Sequence, residues 1–191
     1  MHFTEKTRNI HGKRVLFFML LLFINTFSCG ISSIENSDPI PIWSFEPEAI
    51  HIRYRADETL NFFNNMPHTL ILIIYQLSVI DTFNGLAKNE DGLKKLLSGA
   101  DSDPSIVRKD TFIVQPGEEN VIVLDRGENA KWVCVVAGYY HLIPGLVSQV
   151  YQIPVKTGIL GRIRKRKFAH IEHLQTNLLL GKNELFGIGT H

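Results

Sequence analysis

Cysteine is scarce: the 191-residue chain has only Cys29 and Cys134. A disulfide framework is therefore out of reach, and metal chemistry would have to rest on other ligands. Charge of one sign is also lacking, with 20 Lys+Arg against 19 Asp+Glu and a formal net charge of +1. Such a balance gives no strong pull toward nucleic acid. No apolar run is long. The longest, Val15 to Ile24, is about half of the roughly 20 residues that a membrane-spanning helix needs. Internal repeats and long low-complexity tracts are missing as well. No G-x-S-x-G elbow and no phosphate-binding glycine loop is found, so the common hydrolase and nucleotide-binding signatures are absent. What remains, 45% hydrophobic and 20% charged residues, suits one globular domain with tails.

The first thirty residues have the order of a targeting segment. A basic stretch ending in Lys13-Arg14 precedes the apolar Val15–Ile24, and Ser28-Cys29-Gly30 follows. A small residue before a cysteine fits a lipobox, where cleavage frees Cys29 and its thiolate takes a lipid. The competing reading is an ordinary signal peptide with a coincidental cysteine. Gly30 rather than Asp after Cys29 points to delivery to the outer membrane. Residues 1–28 are thus expected to be a signal peptide, 29–46 a lipidated N-terminus and flexible tether rich in Ser, Asn, Asp and Pro, and 47–191 the folded domain. If Cys29 is lipidated, Cys134 has no partner and belongs in the core as a small hydrophobe; a Cys29–Cys134 disulfide is the rival.

The mature part is patterned for strands. Ile50, Ile52 and Tyr54 alternate with His51, Arg53 and Arg55, the period of a half-buried strand. Thr69 to Val79 is apolar, β-branched and aromatic enough for a central strand. Thr111–Val114 and Val121–Leu124 flank Pro116-Gly117, which reads as a hairpin-like turn. Trp132–Tyr140, Val147–Pro154 and Glu172–Leu180 complete the expected strands. Between Asp81 and Leu97, Phe83, Leu86, Ala87, Leu93, Leu96 and Leu97 fall at helical spacing, with Asp91-Gly92 expected to divide two short helical turns. The sum predicts a mainly β sandwich with a short added helical segment. Tyr75, Leu77, Phe83, Trp132, Val135 and Ala137 are its expected core.

Candidate chemistry is thin. His170-Ile171-Glu172-His173 is the nearest approach to a metal cluster, but a zinc site needs a third ligand at usable geometry, and solvent-exposed strand histidines are the better explanation. No metal or other cofactor is expected. Asp101 and Asp103 suit a polar turn better than an acid/base pair. The basic run Arg162, Arg164, Lys165, Arg166 and Lys167 suits phospholipid headgroups, lipopolysaccharide phosphates or an acidic patch on a partner, with a solvated loop as the alternative. Removing residues 1–28 leaves 16 basic against 18 acidic residues, five of the 16 in that run.

Several segments in order bring out a family resemblance. Leu60-Asn61, Pro67, Leu70, Tyr75-Gln76-Leu77 and Phe83, then Phe112-Ile113-Val114-Gln115-Pro116-Gly117-Glu118, then Val135-Val136-Ala137-Gly138-Tyr139, together resemble the TssJ (VasD-like) lipoproteins of the type VI secretion system. The resemblance spans roughly residues 48–155. It departs from the family's usual pattern at Tyr140-His141, at Leu146–Ser148 and in the basic Lys156–Lys167. It implies a two-sheet, transthyretin-like β-sandwich and a structural, non-enzymatic role. That role is to anchor the secretion membrane complex at the outer membrane by binding the periplasmic domain of TssM, the inner-membrane partner. The loop between the first two strands would make that contact, which here is Leu60, Asn61, Phe62, Phe63, Asn64, Asn65, Met66 and Pro67, closing at His68. Phe62, Phe63 and Met66 would supply its apolar centre. A periplasmic transthyretin-like ligand-binding or carrier lipoprotein is the alternative, and a small hydrolase a more distant one.

The anchor is directly testable. The wild-type protein should partition into a detergent phase, and Cys29→Ser should move it to the aqueous phase or leave it unprocessed. Wild-type protein found wholly in the soluble periplasmic fraction would remove the anchor.

Overall fold

The computed structural model describes residues 39–99, 103–160 and 166–190. Cys29, the expected signal segment and most of the expected tether lie outside them. Strand β1 (Glu46–Ala56) shows the alternation expected from its sequence: Ile50, Ile52, Tyr54 and Ala56 are buried, while Arg53 and Arg55 are exposed. β2 (Leu70–Leu77) has seven of its eight residues buried, because both of its faces are covered. Two short helices follow, α1 (Asp81–Leu86) and α2 (Glu90–Ser98). Next come β3 (Ile106–Val114), β4 (Glu119–Arg126), β5 (Trp132–Ala137), β6 (Ser148–Gln152), β7 (Val155–Leu160), β8 (Arg166–Ile171), β9 (Leu174–Leu180) and β10 (Leu185–Thr190).

The strands form two four-stranded sheets, ordered β10-β9-β1-β4 and β3-β2-β5-β6, plus a two-stranded arm, β7-β8. All pairings are antiparallel except β1 with β9. Register settles which side chains meet. Leu72, Ile74 and Gln76 lie opposite Ala137, Val135 and Val133, and this face looks into the sandwich. The other face of β2 holds Ile73, Tyr75 and Leu77, and the helices cover it. The Tyr75 hydroxyl donates to the Leu96 carbonyl, and its ring meets Phe83 edge-on at 6.1 Å. The helical segment is thus a third layer over the sheet.

Gln76 stitches the sheets together. Its side chain is fully buried, its Nε2 donates to the Asp125 carbonyl at 2.8 Å, and its Oε1 accepts from Gly127 N at 2.8 Å. At the same end, Arg126 is buried and pairs with Glu46 at 2.8 Å while donating to the Ser44 carbonyl at 3.2 Å. Trp43 packs on the core and its carbonyl accepts from Asn129 N, so the chain is docked a few residues before the expected domain start.

Four readings of the sequence are corrected. Pro116-Gly117 does not turn a hairpin: β3 and β4 belong to different sheets, and the turn carries the chain across the sandwich. Gly117 has φ +73°, Glu118 N donates to the Gln115 carbonyl, and the Glu118 carboxylate accepts from the buried Tyr54 hydroxyl, pinning this corner to β1. The division between the helices falls at Ala87–Asn89, not at Asp91-Gly92. Asn89 caps α2 by accepting from Gly92 N at 2.8 Å, and Gly92 sits inside that helix because a Cβ there would lie 2.0 Å from the Leu86 carbonyl oxygen. Trp132, the first residue of β5, is half-buried rather than largely buried, whereas Val135 and Ala137 further along the strand are fully buried as expected. Three strands, β7, β8 and β10, had no counterpart in the expected set.

Replacing Gln76 by Leu strands a buried carbonyl and a buried N–H. The expected loss is about 3 kcal/mol of folding stability, from about 1–3 kcal/mol for each unsatisfied group. Urea unfolding followed by circular dichroism measures it, and a loss under about 1 kcal/mol would show that the clasp is dispensable.

Candidate interaction surface

The loop after β1 is built by asparagines. Asn64 and Asn65 have φ of +49° and +63°, and Phe63 and Met66 exchange both backbone hydrogen bonds at 3.0 and 3.1 Å. This is a two-residue hairpin turn of the kind that requires positive φ at both central positions, which asparagine tolerates. Asn61, also at positive φ, is buried at 4% exposure. Its Nδ2 donates to the Thr69 carbonyl at 3.0 Å and its Oδ1 accepts from Tyr140 N at 2.9 Å. Leu60 is fully buried beneath it, and its carbonyl accepts from His68 N. The loop is held at both ends and across its middle.

Phe62 and Phe63 are half-buried, and each is engaged. Phe62 N donates to the Lys182 carbonyl, and the Lys182 ammonium lies 4.2 Å from the Phe62 ring centroid. Phe63 stacks on Tyr140 at 4.3 Å with 16° between the rings, and His68 packs edge-on against Tyr140 at 5.1 Å. The exposed apolar groups at this end are Met66 (54%), Tyr140 (52%), Ile143 (46%) and Leu146 (38%). Asn64, Asn65 and Pro67 are exposed around Met66.

Sequence reasoning found the loop but missed its neighbours. Tyr140, Ile143, Leu146 and Lys182 join the surface through tertiary packing. The sequence signals for them were the unusual Tyr140-His141 and, for Leu146, the departure at Leu146–Ser148. Tyr139 braces the assembly: it is buried, and its hydroxyl donates to the carbonyls of Glu184 at 2.7 Å and Gly181 at 3.2 Å. Burial pushes its phenol well above the ordinary range, so it stays a neutral donor.

The remaining candidates do not join this surface. Arg166 and Lys167 open β8, while Arg162, Arg164 and Lys165 lie outside the described residues. Asp103 accepts from Ser105 N at 2.8 Å, which makes it a turn former; Asp101 lies outside the described residues. His173 Nε2 sits 3.1 Å from the Glu46 carboxylate, and His170 is in β8. Cys134 is buried in β5, where burial pushes its thiol up to about 12. At neutral pH it is not a thiolate and is a poor nucleophile or ligand. The crevice under the helices, lined by Tyr75, Leu77, Phe83, Leu86 and Leu96, holds about 90 Å³. Small-molecule sites run to roughly 300 Å³ or more.

The described residues thus form a β-sandwich with a hydrogen-bonded loop and exposed apolar groups at one end. The chain belongs to the family described as T6SS-SciN, type VI secretion lipoprotein, VasD, EvfM, TssJ, VC_A0113, which matches residues 48–178. Its fold is similar to that of the T6SS lipoprotein TssJ1 from Pseudomonas aeruginosa, with 20% identity over 76% of this chain and 97% of that one and a TM-score of 0.55. Serratia marcescens Lip, described as a membrane-bound component of the Type VI Secretion System, is also similar, with 16% identity over 75% and 98% of the two chains and a TM-score of 0.57. A chain in a structure described as the T6SS protein TssM C-terminal domain (869–1107) from EAEC shares 19% identity over 73% and 97%, with a TM-score of 0.53. No curated protein matches.

Asn61→Ala removes both side-chain bonds of the loop clamp. Stability should fall by about 2 kcal/mol or more. Amide exchange at Tyr140 and across Phe62–His68 should speed up before exchange in β2 does. Unchanged exchange in the loop would show that the hairpin holds itself without the clamp.

Proposed function

We propose that this protein anchors a type VI secretion membrane complex at the outer membrane, held there by a lipid on Cys29. Its surface around Leu60–Pro67 docks onto the periplasmic domain of a TssM-like inner-membrane protein. The observation that carries the reading is the pre-formed loop end, with Met66 exposed on a hairpin fixed by Asn61, Asn64 and Asn65, and Tyr140 exposed beside it on the segment after β5. A loop already ordered loses little entropy on docking, so its contacts convert efficiently into affinity. Exposed Met and Tyr with an Asn and Pro rim match the make-up of interface centres. Membership in the type VI lipoprotein family, with the likeness to a chain in a structure described as the TssM C-terminal domain, supports this class of partner. A carrier role finds less support, because the crevice under the helices is small for a ligand and the larger grooves, at His51 and Gln175 and at Pro39 and Ile171, are open to solvent.

Met66→Ala combined with Tyr140→Ala should weaken binding to a TssM-like periplasmic domain by about 2 kcal/mol or more, with the circular dichroism spectrum unchanged. Phe62→Ala combined with Phe63→Ala should weaken it through loss of the stacked support, and should also loosen the loop. Full binding by both double variants, measured by calorimetric titration, would remove the loop from the interface.

A further inference from the structure

An edge strand presents unpaired N–H and C=O groups, which folded proteins shield with charges, side-chain caps or a covering element. The edges of the two large sheets are β10, β4, β3 and β6. β10 and β6 shield one another: Leu185 N donates to the Leu146 carbonyl at 2.7 Å, and Gln149 Nε2 donates to the Leu185 carbonyl at 3.2 Å. β4 shields itself. Val121 N donates to the Asn120 side-chain oxygen at 2.8 Å, and Glu119 and Asp125 put a carboxylate near either end of the strand. β3 is shielded over its first half, where Arg108 pairs with Asp110 at 3.0 Å and with Asp125 of β4 at 3.9 Å. Its second half, Thr111-Phe112-Ile113-Val114, carries no charge.

Register shows which backbone groups of that half are open. Gly138 N donates to the Ile71 carbonyl, so Ile71 turns its backbone groups toward β5. Consecutive residues of a strand turn them to opposite sides, so Leu70 and Leu72 are the residues bonded to β3, through their partners Val114 and Phe112. Thr111 and Ile113 therefore point their N–H and C=O away from the sheet. Among the described residues no other backbone hydrogen bond reaches these two.

The side chains follow the same division. Ile113 is 66% exposed, and its cross-strand partner Ile71 is 49% exposed. They lie side by side on the face of the sheet that the helices cover further along β2. Leu97, near the end of α2, reaches as far as Gly138 beside Ile71 and leaves both isoleucines open. Open backbone groups and exposed apolar side chains thus coincide at one stretch of edge.

We propose that the second half of β3 takes an added strand from the partner that docks on the loop Leu60–Pro67: an extended, uncharged segment with apolar side chains at alternate positions. Main-chain bonds to Thr111 and Ile113 would hold it, and its apolar side chains would cover Ile113 and Ile71. Continuity of the surface selects this occupant. Ile71 follows Met66 by five residues, within about 17 Å of extended chain. Beyond Val114 the chain returns to the segment that leads into the loop, where Gly117 N donates to the Asp57 carbonyl and Ala56 N to the Glu118 carbonyl. A second copy fits this edge worse. Pairing Thr111–Val114 antiparallel with itself sets Pro116, which has no N–H to give, against Lys109 in the charged half of the other copy. The inference rests on the partner reading and adds to it the mode of contact.

The test is amide exchange on the full chain carrying Cys29→Ser, free and bound to a TssM-like periplasmic domain. The Thr111 and Ile113 amides should exchange fast in the free chain and about tenfold or more slower in the complex, while Phe112, bonded to β2, should be slow in both. Thr111→Pro removes an outward N–H and leaves the ladder to β2 intact, so the circular dichroism spectrum should hold while binding weakens about tenfold or more. Val123→Pro, the same change at the edge of β4, should leave binding unchanged. Equal exchange at Thr111 and Ile113 in the free and bound chains, full binding by Thr111→Pro, or equal weakening by Val123→Pro overturns this inference and leaves the partner reading standing. Absence of binding by the parent chain overturns both. Self-association of the free chain that Thr111→Pro dissolves, measured by sedimentation, would give the edge to a second copy and overturn the partner strand.

Discussion

A carboxamide with no access to water holds the two sheets in one arrangement. Gln76 is in the middle of an otherwise apolar strand, and burial there is tolerable only because both ends of its amide are bonded to the facing sheet. The bonds accept one registry between β2 and the end of β4, so the sandwich cannot slide without stranding three polar groups. Arg126 tightens the same end with a different chemistry. Its guanidinium is buried against Glu46, and its Nε and Nη1 find no partner among the described residues. The pair therefore contributes less net stability than its 2.8 Å contact suggests, and it acts more as a fixed point for the start of β1.

The same device recurs at the opposite end with Asn61. One buried amide joins the loop after β1 to the start of β2 through Thr69 and to the segment after β5 through Tyr140. The two amides explain why motif residues that look like contact residues are struts. Leu60-Asn61 and Tyr75-Gln76-Leu77 are all buried, and Tyr139 spends its hydroxyl on carbonyls near β10. What they hold in place, Met66 and Tyr140, is exposed. Groups that fix geometry are thus separate from the groups left exposed.

Legibility in the sequence followed the locality of the interaction. Alternation across Ile50, Ile52 and Tyr54 reports one strand against one face, so it was readable. The Pro116-Gly117 corner shows the limit: the turn chemistry is local, but whether the chain returns to its own sheet or crosses to the other depends on β1 and β2 as partners. Gly92 looked like a break because glycine usually ends helices; here it lets α2 pass close to Leu86, a fact about another element. β7 and β8 were obscured because basic residues and Gly158 interrupt their pattern, and β10 because Gly187 and a glycine-rich end dilute it. The loop after β1 was singled out through the family resemblance, with its asparagines and aromatics in support. Its companions after Tyr139 and at Lys182 are distant in the chain and could be found only once the strands were paired.

The geometry gives the molecule two ends with different physics. At the end of β1, neutral apolar groups sit on a loop clamped by hydrogen bonds, which suits a specific surface that must be matched in shape. At the start of β1, the buried Arg126 holds Glu46 and the Ser44 carbonyl, and the Trp43 carbonyl accepts from Asn129 N, so a charged pair fixes the entry of the chain into its sheet. The long strand β1, anchored by Arg126 at one end and followed by the Asn61 clamp at the other, keeps the two ends apart.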